Sequence, residues 1–147
     1  MAKKYNSIVI GGGLVGSLVS LVQSTNSQSI CLIEKNKFNK ISTDSYSPLS
    51  LTLNSVEFLK EKDLWDEKSF KCRSINNLKI KLFNSFNTVN LNSKDLNLTS
   101  LGSVIEKASF LSYLRDLCNK NSNITVIDEV DIEFDNPLDP TKILNPK

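Results

Sequence analysis

The residues able to do chemistry in this chain are few, and their pattern is one of binding. Gly11-Gly12-Gly13-Leu14-Val15-Gly16 follows the apolar run Ile8-Val9-Ile10, and Glu34 closes a second apolar run that starts at Ser29. Glycine at the first position permits a tight turn off a strand. At the third, the missing Cβ lets the backbone approach a diphosphate, and at the sixth it lets a helix lie close against the strand. The opening N–H groups of that helix then point at the phosphates, with the helix dipole adding positive character. An acid at the end of the next strand, Glu34, accepts hydrogen bonds from the hydroxyls of an adenosine ribose and repels a 2′-phosphate. Strand, glycine turn, helix, strand and acid together make the fingerprint of a βαβ unit that holds the ADP half of a dinucleotide. The plain alternative is a glycine-rich turn with Glu34 as a solvated strand-end residue.

The elements that must position these groups are legible around them. The pattern predicts a buried parallel strand over Ser7–Gly11 and a helix over Gly13–Ser24. That helix is apolar on several sides (Leu14, Val15, Leu18, Val19, Leu21, Val22), which implies burial between layers. A second strand covers Ile30–Glu34, and residues 36–48 read as a loop closed by Pro48. A helix is expected over Leu49–Glu61, with Leu64-Trp65 packing under its end and Trp65 capping the core. Between Ile75 and Leu91 apolar residues alternate with Asn and Lys, the period of half-exposed antiparallel strands, with a hairpin turn at Asn84–Asn87. Leu101–Ile105 reads as extended, Lys107–Lys120 as a helix and Ile124–Ile127 as another parallel strand. Val130, Ile132 and Phe134 could add an edge strand before a proline-rich acidic tail, residues 131–147, expected to be poorly ordered. The fold class expected is therefore α/β: a Rossmann-like FAD/NAD(P)-binding domain over residues 1–130. It has a parallel sheet and a small antiparallel insertion at about 70–105.

Composition removes several other chemistries. The chain has 147 residues, room for one core, and a net charge of +2 that names no nucleic-acid partner. It contains no histidine, which excludes a histidine base, a Ser-His-Asp triad and histidine-ligated metals. Cys31, Cys72 and Cys118 show no metal-ligand spacing and suggest no disulfide framework, so a reducing, cytoplasmic setting is expected, with Cys31 as core packing. The sequence carries no signal-peptide pattern and no apolar stretch long enough to span a bilayer, while peripheral association with a membrane stays open.

Beyond the glycine turn, the chain resembles one family. Ile10-Gly-Gly-Gly-Leu-Val-Gly16, Glu34-Lys35, Leu49-Ser-Leu-Thr-Leu-Asn-Ser-Val-Glu-Phe-Leu59, Leu64-Trp65-Asp66 and Leu101-Gly-Ser-Val-Ile-Glu106 ahead of a helix carry the likeness. They are similar, in order and spacing, to the FAD-dependent hydroxylases of ubiquinone biosynthesis, relatives of p-hydroxybenzoate hydroxylase. The likeness runs from about residue 5 to 130, most of this chain but only the first part of a family member, so the chain looks truncated relative to the family.

The resemblance implies that Gly11, Gly12, Gly13, Leu14, Val15 and Gly16 hold the FAD diphosphate and Glu34 the ribose, with Lys35 at a position commonly basic. It implies NAD(P)H as a transient reductant and a polyprenylated phenol as substrate. A missing C-terminal half or a biosynthetic complex would be the protein partner. No residue of this chain is expected to be catalytic, because the flavin carries the chemistry. Two positions depart from the family: Ser47 stands where an arginine is usual, and Lys107-Ala108 where Asn-Arg is common. These departures keep a second reading open, a non-enzymatic module that binds NAD or FAD, and with it a degenerate remnant.

Overall fold

The run Ile30-Cys-Leu-Ile33 has no polar interruption, and it becomes the central strand of a parallel sheet, where a strand covered on both faces belongs. The structure, a computed structural model, describes residues 3–25, 28–41, 47–81, 83 and 87–130. Its elements run β1 (Ser7–Ile10), α1 (Leu14–Ser24), β2 (Ile30–Ile33), β3 (Pro48–Thr52), α2 (Leu53–Glu61), β4 (Cys72–Ile75), β5 (Asn77–Lys81), β6 (Thr88–Asn92), β7 (Gly102–Glu106), α3 (Lys107–Lys120) and β8 (Ile124–Ile127). They divide into two units, Met1–Ser42 with Leu111–Lys147, and Thr43–Phe110, so that the division falls inside α3.

The first unit is the parallel α/β layer. β2 pairs with β1 on one side and β8 on the other, with Ile8 opposite Cys31 and Cys31 opposite Thr125. Ile30, Leu32, Leu114 and Cys118 are wholly buried. Removing an aliphatic side chain of this size from water stabilises the fold by roughly 1.5–3 kcal/mol. Two expectations need correction here. β1 is not buried on both faces: Ile8 is 49% and Ile10 50% exposed, because period-two alternation puts them on the face opposite Val9, the residue that meets α1 at Gly16. Nor is α1 buried on several apolar sides. Ser17, Ser20, Leu21 and Ser24 face inward, and Val15 is 74% exposed.

The reason is the close approach at Gly16. A Cβ there would stand 1.8 Å from the Gly11 carbonyl oxygen and 3.4 Å from Val9 Cγ1. At that separation the turns of the helix beside Gly16 have room only for small side chains, Ser17 and Ser20, with Leu21 filling the space further along. Ser24 and Ser17 return their hydroxyls to backbone carbonyls, of Leu21 at 2.7 Å and Gly12 at 3.3 Å, so burying them costs little.

The second unit is antiparallel. β7 lies between β3 and β4, with Ile105 opposite both Leu49 and Cys72. The helix expected from Leu49 therefore begins only at Leu53. Leu49 and Leu51 alternate with Ser50 and Thr52 as strand residues, and Thr52 then caps α2, accepting the Ser55 N–H at 3.3 Å. β5 and β6 form a two-stranded ribbon with Leu78 opposite Leu91 and Ile80 opposite Val89. The alternation between Ile75 and Leu91 thus appears as expected, with Ile75 itself in β4. Trp65, Phe70 and Phe110 make an aromatic cluster, Phe70 lying 5.0 Å from Trp65 and 4.7 Å from Phe110 between ring centroids, both edge to face. Trp65 is a packing residue, as its position after α2 implies. The hairpin turn expected at Asn84–Asn87 and the strand and tail expected beyond Val130 lie outside the described residues, save Asn87 itself.

Candidate functional site

The site grows from the end of β1. Gly11 takes φ +95°, a conformation that L side chains rarely adopt, and its N–H donates to the Ile33 carbonyl at 2.7 Å. The turn continues through Gly12 and Gly13, and α1 starts at Leu14 with Gly13 as its N-cap. Gly13 offers no capping side chain, and no acid stands in the first turn of the helix. Ser17 is the residue whose N–H first closes back onto the turn, at the Gly13 carbonyl, 2.9 Å. The N–H groups of Leu14, Val15 and Gly16 therefore precede the first intrahelical bond, the arrangement that suits an anion. A Cβ built on Gly13 meets no atom within 4 Å, so the open side of the turn lies there.

Glu34 enters from the end of β2 and is 9% exposed. Its Oε2 accepts the Gly12 N–H at 2.7 Å; its Oε1 accepts the Asn36 N–H at 3.0 Å and the Asn36 side-chain amide at 3.3 Å. Burial pushes the carboxyl pKa up, but the Asn36 and Gly12 hydrogen bonds and the Arg115 guanidinium outweigh it and hold the group below its ordinary value. It is ionised at neutral pH. Lys35 is exposed just beyond the strand. The glycine turn and Glu34 thus meet directly, whereas Ser47 and Ala108 belong to the antiparallel unit.

Sequence reasoning missed Arg115, which is 7% exposed. From α3 its Nε donates to the Gly12 carbonyl at 2.9 Å and its Nη1 to the Phe38 carbonyl at 2.5 Å. Nη2 stands 3.8 Å from Glu34 Oε2, and the guanidinium lies over the Phe38 ring, 4.7 Å from its centroid. Phe38 is buried against the turn, and its own N–H donates to Asp128 at 2.7 Å. A signal existed: Arg115 follows Leu111 by four residues and precedes Cys118 by three, which places a charge within the apolar stripe of α3. Burial draws the guanidinium pKa down and Glu34 opposes it, yet an arginine stays charged in either case. Burial likewise raises the thiols of Cys31 and Cys72 and pushes Cys118 up to about 11, so none is an activated nucleophile. Among the described residues no group of three or more His, Cys, Asp or Glu could hold a metal, and no helix is long and apolar enough to cross a membrane.

No protein-family model matches the chain, and no curated protein matches its sequence. Solved structures match its fold. The p-nitrophenol 4-monooxygenase PnpA from Pseudomonas putida DLL-E4 does so with a TM-score of 0.69 at 13% identity, over 90% of this chain and 34% of that one. A flavoprotein/dehydrogenase from Cytophaga hutchinsonii gives 0.65 at 21% identity, over 90% of this chain and 32% of that one. The myxobacterial chondrochloren halogenase CndH, a variant of FAD-dependent halogenases, gives 0.61 at 17% identity, over 88% and 29%. At these identities the likeness is one of fold, a Rossmann-like α/β domain with a parallel sheet. The chain spans about a third of the length of these proteins.

Proposed function

We propose that the chain is the FAD-binding portion of a flavin-dependent aromatic hydroxylase of the ubiquinone-biosynthesis type. Gly11–Gly16 would receive the diphosphate, Glu34 the adenosine ribose and Lys35 a neighbouring charge. One observation carries this reading: the turn's Gly12 N–H and the Glu34 carboxylate are joined at 2.7 Å, while the turn stays open beyond Gly13. That combination fits a ligand with a diphosphate and a ribose one bond apart. The fold shared with a monooxygenase, a flavoprotein/dehydrogenase and an FAD-dependent halogenase supports flavin over other dinucleotides. The bound FAD would supply the redox chemistry, with NAD(P)H as its reductant; this chain binds and orients its ADP half. Substrate, by the family likeness a polyprenylated phenol, would be held by residues outside these 147.

FAD titration followed by flavin fluorescence tests the reading, with Gly13→Glu as the control that places a carboxylate in the open turn. Weak FAD binding that Gly13→Glu abolishes is expected. Saturation at nanomolar FAD by the chain alone would argue against its being a portion of a larger site. Ser47 and Ala108, where the family carries arginines, favour a second reading, a non-enzymatic module that binds NAD or FAD. Tight NADH binding with no affinity for FAD would establish that reading instead.

A further inference from the structure

Arg115 has no place in the glycine-turn fingerprint, yet it reaches two of its members, Gly12 and Glu34. Its Nε reaches the Gly12 carbonyl, its Nη1 the Phe38 carbonyl, and its Nη2 approaches the carboxylate that holds the Gly12 N–H. The peptide unit on each side of Gly12 is therefore tied, the N–H by Glu34 and the C=O by Arg115. Ser17 Oγ adds a longer bond to the same carbonyl, 3.3 Å, which cannot replace a charged donor. A guanidinium is suited to this task because its rigid planar fork aims donors in fixed directions at two carbonyls and a carboxylate, whereas an ammonium is a point charge on a flexible stem.

We infer that Arg115 is a positioning residue for ribose recognition: from α3 it fixes the Gly12 peptide and the Glu34 carboxylate in the geometry that reads an adenosine 2′-hydroxyl. This rests on the reading of Gly11–Gly16 and Glu34 as an ADP-binding turn. Glu34 Oε1 faces Asn36, whose side-chain amide is exposed and bonds at 3.3 Å, so that bond can yield to a ribose hydroxyl. Oε2 cannot turn to follow it while Gly12 and Arg115 hold their side of the group. The carboxylate is thus presented edge-on in one orientation. Without Arg115, the Phe38 carbonyl loses its side-chain donor, the Gly12 carbonyl keeps only the longer Ser17 bond, and the carboxylate loses its counter-charge, so the turn and the acid are held less firmly in the orientation that meets the ribose.

The test compares affinities for ADP and 2′-deoxy-ADP by calorimetry in the wild-type chain, Arg115→Met and Arg115→Lys. The ratio of the two affinities is the informative quantity. Partial unfolding scales both ligands by the same folded fraction and cancels in the ratio. The wild type should favour ADP by about tenfold or more, the lower end of the worth of one charge-assisted hydrogen bond. Arg115→Met should bring the ratio to within about threefold, and Arg115→Lys should leave it between the two. If Arg115→Met is too unfolded to titrate, Arg115→Lys decides. An undiminished ratio in the variant that can be titrated overturns the inference, and so does a wild type that binds both ligands equally. A wild type that binds neither ligand overturns the ADP-binding reading itself.

Discussion

The two units of this chain bury different things. In the parallel unit, Glu34 and Arg115 are the two buried charged residues found among the described residues, and both bond to the glycine turn. In the antiparallel unit the buried residues are apolar or uncharged, centred on Phe70, Phe110 and Leu59. Burying a charge is unfavourable unless it is paired and hydrogen-bonded, whereas burying a phenyl ring is favourable almost anywhere. The contrast locates function: buried charge is accepted where a backbone turn must be held in one shape, and is absent among the described residues where packing alone is required. The β5–β6 ribbon sharpens the contrast from the other side. Leu78, Ile80 and Val89 stand about half exposed on one face of it.

The largest effect should come from Gly16→Val. Any Cβ at this position collides with the Gly11 carbonyl oxygen, which is backbone and cannot swing aside. Forcing α1 away from β1 should destabilise the parallel unit by more than about 4 kcal/mol, in the exceptional class of single substitutions. Hydrogen exchange read peptide by peptide checks this: protection should vanish over residues 7–33 first. Equal loss across residues 48–106 would break the comparison, by showing that the units do not unfold separately.

Next in size is Phe70→Ala, the matching change in the antiparallel unit. Phe70 makes edge contacts with both Trp65 and Phe110 and is buried. Its truncation should cost roughly 3–4 kcal/mol, with Trp65 fluorescence shifting as the indole gains water. Nucleotide affinity measured at a temperature where the parallel unit stays folded should not change. A parallel loss of affinity would contradict the assignment of binding to the other unit.

How much of this was legible in the sequence differs between the units for a physical reason. The glycine turn was readable because each glycine answers a local backbone demand, and Glu34 because it ends a continuous apolar strand. α1 misled, since hydrophobic periodicity assumes that helices pack through large side chains. Here Gly16 draws the helix so near that Ser17, Ser20 and Ser24 become its inner face. The stretch Leu49–Thr52 was ambiguous because Leu at every second position also fits a helical start, and its pairing with β7 depends on residues fifty or more positions away. Arg115 was hidden because its partners, Gly12, Glu34 and Phe38, are distant in sequence. Only the anomaly of a charge in an apolar stripe pointed to it.

A smaller effect, on pH, belongs to the parallel unit alone. The folded-state pKa of Glu34 is held below its ordinary 4.5, so the unfolded chain takes up this proton first as the solution is acidified. The stabilisation it confers is complete above about pH 4.5 and is lost as pH falls through the lower folded value. Glu34→Gln should flatten the acid limb of the stability profile and cost about 1.5–3 kcal/mol at neutral pH, the range for a hydrogen bond to a charged group. Urea unfolding between pH 3 and 7 reads both. An acid limb as steep in Glu34→Gln as in the wild type would show that other carboxylates set it.

The smallest effect tests whether the corrected boundary at Leu53 matters energetically. Thr52 is the last residue of β3 and the N-cap of α2, and its hydroxyl both accepts the Ser55 N–H and lies 3.0 Å from Ser55 Oγ. Thr52→Ala keeps the strand pairing with Gly102, which is made by backbone, and removes only the cap. It should cost about 1 kcal/mol. Thr52→Ser and Thr52→Asp should recover most of it, and Asp adds a favourable charge at the helix N-terminus, whose first turn carries no acid. Had the helix begun at Leu49, Thr52 would sit inside its first turn and Ala, the better helix former, would be neutral or stabilising. The sign of one substitution, measured by thermal unfolding, therefore distinguishes a strand-to-helix junction from a continuous helix.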